Sequence, residues 1–495
     1  PHRSGGAKSK PSTERSEVEG FDFAQPERWG RLMADLWTSA EIAEATGGAA
    51  SAPFAVSGVA FDSREVTGDD LFVAMKGEAT DGHKFIGKAF AQGAAGAIVS
   101  EAVDHPHILV KDSAAALEAL GRASRKRMGG KVIGVTGSVG KTGTKEALFQ
   151  ALDRAHPGQV HRSVKSYNNH VGVPLSLARM PRDTAFGVFE MGMNHAGELA
   201  ALTRQVRPHV AIVTAIAPAH IEYFGTEAKI AEAKAEIFEG LEPGGTAIIP
   251  YDSPHVALLY NRAERHAANI LTFGMSADAD VHAREAVAAP GGGTLVTAKL
   301  PDAELCFTVA APGDHWVSNA LAVLAAVSAV GGDLAAAGLA LAEMPGLPGR
   351  GERRIVPVAG GEALLIDESY NANPLSMAAT LKQLGREQAD RRIAVLGGMR
   401  ELGARSAELH ADLAGPLEAG QVDYAILVGA EMAPLADALD GSIAYVHVPD
   451  TASATTLLTT EIRAGDAVLV KGSNGIGLSR LVAALGEPAR DGETN

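Results

Sequence analysis

Short apolar runs rich in Val, Ile and Ala alternate along most of the chain with longer segments of helix-spaced polarity. Such runs, bounded by Gly, Asp or Pro, read as strands covered on both faces, and strands alternating with helices predict mostly parallel sheets. The first folded element is expected near Leu36-Trp37-Thr38, where Thr38 or Ser39 can cap a helix over residues 39–43. Strands are then expected at 56–61, 70–75, 97–99 and 108–110, with a helix over 84–92. A helix over 114–128 leads to a second series of strands at 131–135, 186–190, 210–216 and 246–250, and residues 290–293 turn a hairpin. Pro345-Gly346-Leu347-Pro348-Gly349 stops an Ala-rich helix and reads as a linker. Beyond it the rhythm restarts, with strands at 363–367, 392–396, 424–428, 443–448 and 467–470. The pattern predicts an α/β chain of three domains, at 31–114, 115–345 and 346–495, after a flexible extension over 1–30.

Length supports that division, since 495 residues suit about three domains at roughly 100–200 residues each. Hydrophobic residues make up 46% and charged residues 21%, too apolar a mixture for a disordered chain. The 44 Lys and Arg against 59 Asp and Glu leave a formal charge of −15, which argues against broad binding to nucleic acid or anionic membrane. Small anionic substrates remain open, because a few local cations suffice for them. The single cysteine, Cys306, has no partner for an internal disulfide, in keeping with a cytoplasmic location. The longest uncharged apolar stretch, 316–332, is interrupted by Asn319, Ser328 and paired glycines and reads as a core helix, so no membrane insertion is expected. The first 30 residues lack the apolar core of a secretory signal.

The strongest chemical signal is Thr136-Gly137-Ser138-Val139-Gly140-Lys141-Thr142, which follows an expected strand and opens an expected helix. That is the context of a phosphate loop: Gly137, Ser138, Val139 and Gly140 can turn backbone N–H groups toward phosphate oxygens. Lys141 can reach the β- and γ-phosphates, and the Thr142 hydroxyl can ligate Mg²⁺. The strict pattern is missed by one position, since Val135 stands where the first glycine belongs and glycines occur at 134 and 137.

From this loop outward the chain resembles the Mur ligase family, ATP-dependent amide-forming enzymes of peptidoglycan precursor synthesis, over about residues 36–485. Phe189-Glu190-Met191-Gly192-Met193-Asn194-His195 resembles the family's strand-end glutamate segment, and Ala217-Pro218-Ala219-His220-Ile221-Glu222 its metal-histidine segment. The resemblance implies that Thr142, Glu190 and His220 hold magnesium, with two ions expected. Ala233-Lys234-Ala235-Glu236-Ile237-Phe238 is similar to the run whose lysine reacts with CO₂, so a carbamylated Lys234 is implied as a further metal ligand. Composition alone also fits a solvated charged helix face of Lys229, Glu232, Lys234 and Glu236.

Gly313-Asp314-His315-Trp316-Val317-Ser318-Asn319-Ala320 resembles the segment whose asparagine, here Asn319, meets adenine, although a helix-start asparagine also suits capping. Ile366-Asp367-Glu368-Ser369-Tyr370-Asn371-Ala372-Asn373-Pro374 resembles the nucleotide-closing loop, with Asp367 toward the ribose. Arg350 is aligned with the arginine that meets ATP, with Arg353 and Arg354 as alternatives. The resemblance assigns UDP contacts to Ser63 and Arg64, and muramoyl-substrate contacts to Asn168 and Asn169. Two departures stand out: Gly398 occupies a position usually Asp, and Asn474 one usually Arg.

By this resemblance the fold is a small α/β UDP-binding domain, a central P-loop parallel-sheet ATPase domain and a C-terminal Rossmann-like domain. The Tyr-Asn-Ala-Asn-Pro form points to the branch joining D-alanyl-D-alanine to UDP-N-acetylmuramoyl-tripeptide, through an acyl phosphate formed from ATP. His195 is a candidate acceptor for the amine's proton, and equally suits a loop. A monomer is expected. The competing readings are the ligase that adds the preceding residue, whose Asp-Asn-Pro-[Arg/Lys] loop is missing here, and a non-catalytic nucleotide-binding scaffold.

Overall fold

In a computed structural model, residues 35–486 are described apart from 78, 79, 220, 291, 345 and 440. The expected extension over 1–30 and the expected metal ligand His220 lie outside the described residues. Three α/β layers follow in chain order. In the first sheet the strand order is Ala49–Ala50, His107–Leu109, Gly96–Val99, Asp70–Val73, Gly58–Ala60, parallel except for the first pair.

The central sheet runs Val160–Arg162, Phe186–Glu190, Lys131–Thr136, Val210–Val213, Thr246–Pro250, Asn269–Gly274, Val281–Ala288, Thr294–Lys299, Glu304–Val309. Its first seven strands are parallel and its last two pair antiparallel. The C-terminal sheet runs Glu352–Val358, Gly361–Glu368, Asp466–Lys471, Arg391–Gly397, Tyr424–Val428, Ala444–Val448, with only its first pair antiparallel.

The elements start and stop for local reasons. Thr38 and Glu41 form a reciprocal capping box on helix Ser39–Thr46, which ends at Gly47 with φ 66°. The expected helix over 84–92 splits into a 3₁₀ turn, Gly82–Phe85, capped by Asp81, and an α-helix, Ile86–Ala91. The strand expected at 210–216 stops at Val213, because the Thr214 hydroxyl turns to the Thr136 and Val139 carbonyls. Strands Val160–Arg162 and Glu352–Val358 were not expected. The first is only 3 residues long, and the second is an edge strand carrying Glu352, Arg353 and Arg354.

Two junctions fix the layers around the central sheet. Toward the first domain, Trp37 is 3% exposed, donates from Nε1 to the Ala178 carbonyl (2.9 Å), and lies 3.5 Å beneath the Arg127 guanidinium. Toward the third, Asp314 pairs with Lys382 (2.9 Å) and Arg386 (3.1 Å), and one apolar cluster contains Ile221 and Phe224 as well as Met399 and Leu402. The exposed ion pairs orient this contact, and the apolar cluster supplies most of its stability. Trp37→Ala is expected to destabilise the chain by about 3–5 kcal/mol in chemical denaturation. An unchanged midpoint would mean the indole does not hold the first junction.

Candidate active site

The central sheet reverses its strand order at Lys131–Thr136, whose successors in the chain lie first on one side and then on the other. Ligands of such sheets bind at the carboxyl ends beside that strand, and the glycine loop emerges there. Gly137 (φ 152°) and Gly140 (φ 85°) occupy backbone conformations that side chains rarely adopt. A Cβ at Gly137 would collide with the Thr214 hydroxyl, and one at Gly140 would sit 2.7 Å from the Asn319 Oδ1. The loop is also tied down from the side: Ser138 Oγ donates to the Ala217 carbonyl and accepts from the Ala217 N–H, both at 3.0 Å. Lys141 Nζ donates to the Gly137 carbonyl at 2.7 Å. Burial holds the Lys141 ammonium below its ordinary pKa, which nearby Glu190 opposes and Arg350 reinforces.

Glu190 ends the adjacent strand and is 1% exposed. Its Oε2 accepts from the Thr142 hydroxyl at 2.9 Å and its Oε1 from Asn168 Nδ2 at 2.8 Å, while Lys145 Nζ lies 4.0 Å from Oε2. Thr142 and Glu190 thus present hard oxygen donors side by side at the phosphate loop. Mg²⁺ in nucleotide sites takes one or two such protein ligands plus phosphates and water, so the donors present fit it. Among the described residues no three His, Cys, Asp or Glu side chains cluster as a metal cage.

Other expected residues fall into two groups. Asn319 abuts Gly140, and Trp316 faces Gly143 one turn along the loop's helix. Arg350 stacks on Tyr370 at 4.1 Å and reaches Ser166 Oγ at 3.5 Å, whereas Arg353 is paired with Glu387 and Arg354 with Glu352. Of the three arginines, Arg350 is therefore the one brought to the loop. The Asp367 carboxylate instead accepts from the Gly349 and Ser369 N–H groups (2.8 and 3.0 Å) and so organises the linker. Asn169 likewise caps its own turn, accepting from the Gly172 N–H at 2.9 Å. Ser63 is buried, and the exposed Arg64 forks onto Asp62, whose carboxyl that guanidinium holds at about 2. His195 is exposed, pairs with Glu198 at 3.2 Å and lines a groove of about 450 Å³ with Tyr223 and Arg262.

Lys234 is not on a solvated face. Its side chain is 2% exposed, and no carboxylate pairs with it among the described residues. Burial, and secondarily the Lys141 charge, depress its ammonium well below the ordinary value.

Sequence reasoning missed three contributors. Lys145, wholly buried, donates to the Ser163 and Lys165 carbonyls, both at 2.8 Å. Its sequence signal was a lysine one helical turn beyond Thr142. Thr214 braces the loop, and Lys471 holds the Asn371 carbonyl (3.0 Å) and Glu368 (3.3 Å), fixing the Tyr-Asn-Ala-Asn-Pro loop.

Three domain descriptions match in order: "Mur ligase family, catalytic domain" over residues 55–125, "Mur ligase middle domain" over 135–327, and "Mur ligase, glutamate ligase domain" over 353–474. The UDP-N-acetylmuramoyl-tripeptide–D-alanyl-D-alanine ligase of Escherichia coli is 33% identical over 88% of this chain and 95% of its own length. The chain belongs to the Mur ligase family. The Bacillus subtilis enzyme of the same name is 32% identical, over 87% of this Mur ligase and 93% of its own length. The crystal structure of MurF from Acinetobacter baumannii superposes with a TM-score of 0.79 at 31% identity, covering 91% and 99% of the two chains. MurF from Thermotoga maritima in complex with ADP gives 0.73 at 28%, covering 87% and 97%. The family resemblance and the three-domain α/β fold expected from the sequence are thereby borne out.

The buried Lys234 of this Mur ligase has a pH signature. A lysine whose folded pKa is depressed binds fewer protons folded than unfolded, so its stability cost grows as pH falls below about 10.4. In CO₂-free buffer, Lys234→Met is expected to be more stable than wild type at about pH 7, with the gain shrinking toward about pH 10. A gain independent of pH would contradict a buried, depressed Lys234.

Proposed function

We propose that this Mur ligase joins D-alanyl-D-alanine to UDP-N-acetylmuramoyl-tripeptide, converting ATP to ADP and phosphate. The observation that carries the reading is similarity along nearly the whole chain to enzymes bearing that name, with the phosphate loop and Glu190 assembled at one sheet end. We keep the division at 31–114, 115–345 and 346–495 for the UDP-substrate, ATP and C-terminal domains, and a cytoplasmic monomer as the working form.

A carboxylate is a poor acyl donor because oxide is a poor leaving group. Its oxygen attacks the γ-phosphorus, ADP departs, and the resulting acyl phosphate is attacked by the dipeptide amine with loss of phosphate and a proton. The loop N–H groups from Gly137 to Gly140 and Lys141 hold the phosphates, and Arg350 adds a cation from the linker. Thr142 and Glu190 would hold Mg²⁺, with His220 and a carbamylated Lys234 completing two sites. Held there, Mg²⁺ would supply charge that offsets the phosphates during transfer. A carbamate needs a neutral amine, which the depressed Lys234 supplies more readily than a solvated lysine. Asn319 meets adenine, Asp367 reaches the ribose once the linker moves, and Ser63, Arg64, Asn168 and Asn169 meet the UDP-substrate. His195, steered by Glu198, accepts the amine's proton.

Phosphate release should require the tripeptide and the dipeptide together. Release with either alone, or product formed only with single amino acids, would overturn the reading. Lys141→Ala should retain less than about a tenth of wild-type turnover, a loss of more than about 1.4 kcal/mol in barrier lowering. Lys234→Ala should lose activity and regain part of it with added short carboxylic acids. Near-normal activity of the unrescued variant would exclude the carbamate.

A further inference from the structure

We propose that Glu65, in the UDP-substrate domain, is a positioning residue for the nucleotide site, acting through the strap of residues 163–168. The inference deepens the ligase reading and rests on it. Glu65 closes the turn Ser63–Glu65, beside the two residues assigned to UDP. Its Oε1 accepts from Lys165 Nζ at 2.5 Å and from the Tyr167 hydroxyl at 2.6 Å, and its Oε2 faces Arg179 at 3.7 Å. Burial pushes the Glu65 carboxyl up, but the bonds from Lys165 and Tyr167 together with the Lys165 and Arg179 charges outweigh it and leave the group below the usual carboxylate range. Burial, reinforced by Glu65, also raises the Tyr167 hydroxyl, which keeps it a donor.

The strap is held from the other side by the nucleotide domain. Lys145 takes the Ser163 and Lys165 carbonyls, and Ser163 Oγ accepts from the Glu190 N–H at 3.2 Å. Lys165 sits at φ 52°, a conformation a non-glycine residue keeps only when its surroundings impose it. Here Glu65 pulls its side chain while Lys145 fixes its carbonyl. One residue past Tyr167, the Asn168 carbonyl accepts from the Gly192 N–H at 2.7 Å and its amide holds Glu190 Oε1. Ser166 meets Arg350 from the linker. Six residues therefore touch the substrate domain, the metal-binding carboxylate and the closing linker at once. Seating Glu65 places Tyr167, Tyr167 places Asn168, and Asn168 orients Glu190, so the nucleotide site is complete only when the first domain is docked.

Calorimetric binding of Mg·ADP, and of ADP without Mg²⁺, to the full chain tests this. The variants are Glu65→Ala, Glu65→Gln, Asn168→Ala, Glu65→Ala with Asn168→Ala, and Glu101→Gln as a same-domain control at an exposed ion pair with Lys76. Glu65→Ala is expected to weaken Mg·ADP binding by at least about fivefold, the lower end of site-to-site couplings, with Glu65→Gln intermediate. ADP alone and the Glu101 variant should bind like wild type. The double variant should be no weaker than the weaker single one, because both act along one path. Wild-type Mg·ADP affinity in both Glu65 variants, or losses that multiply in the double variant, would overturn the proposal. Melting temperatures are measured alongside, and if Glu65→Ala does not fold, Glu65→Gln decides alone. A wild type that binds Mg·ADP but makes no UDP-N-acetylmuramoyl-pentapeptide would refute the ligase reading while leaving this coupling testable.

Discussion

The Glu190 carboxylate, buried at the end of a central parallel strand, is the constraint on which the site depends. A carboxylate taken out of water must be met by donors, and each donor that meets this one comes from a different functional segment. Thr142 comes from the phosphate-loop helix and Asn168 from the strap below it, with the Lys145 ammonium nearby. Satisfying one buried charge therefore fixes the mutual placement of the phosphate loop, the strand end and the substrate-facing segment.

The chain is acidic overall, with a formal charge of −15, yet it gathers the half-buried Lys141 and the buried Lys145 and Lys234 around this point. Lys141 and Lys145 offset their desolvation with backbone carbonyls, at distances of 2.7 to 2.8 Å. Among the described residues Lys234 has no such partner, and burial drives it toward the neutral amine. Three lysines under different constraints give a local field that favours phosphate and one amine suited to reaction. The same logic explains why net charge spoke against nucleic acid but not against anionic nucleotides: the cations are few and focused.

The phosphate loop was readable in the sequence because its determinants are contiguous: glycines with forced φ, a lysine and a threonine at a strand-to-helix turn. The alternating strands were readable for the same reason, and strands Phe186–Glu190, Thr246–Pro250 and Tyr424–Val428 begin and end where the pattern placed them. What could not be read joins distant positions. Glu65 meets Lys165 and Tyr167 across about a hundred residues, and no local pattern distinguishes Glu65 from a solvated carboxylate. Lys234 has the helical spacing of a surface residue and becomes buried only through packing around its helix. Asp367 and Asn169 reveal a further limit, since residue type suggests a ligand contact while their present partners are backbone N–H groups, of the linker and of Asn169's own turn respectively.

The chemical claim common to all of these parts is that the substrate carboxylate is activated by direct transfer of the γ-phosphoryl group. Tripeptide substrate labelled with oxygen-18 in its terminal carboxylate, turned over with ATP and D-alanyl-D-alanine, tests it by mass spectrometry of the released phosphate. The account predicts one labelled oxygen per phosphate, carried over when the acyl phosphate breaks. Unlabelled phosphate alongside amide product would contradict it.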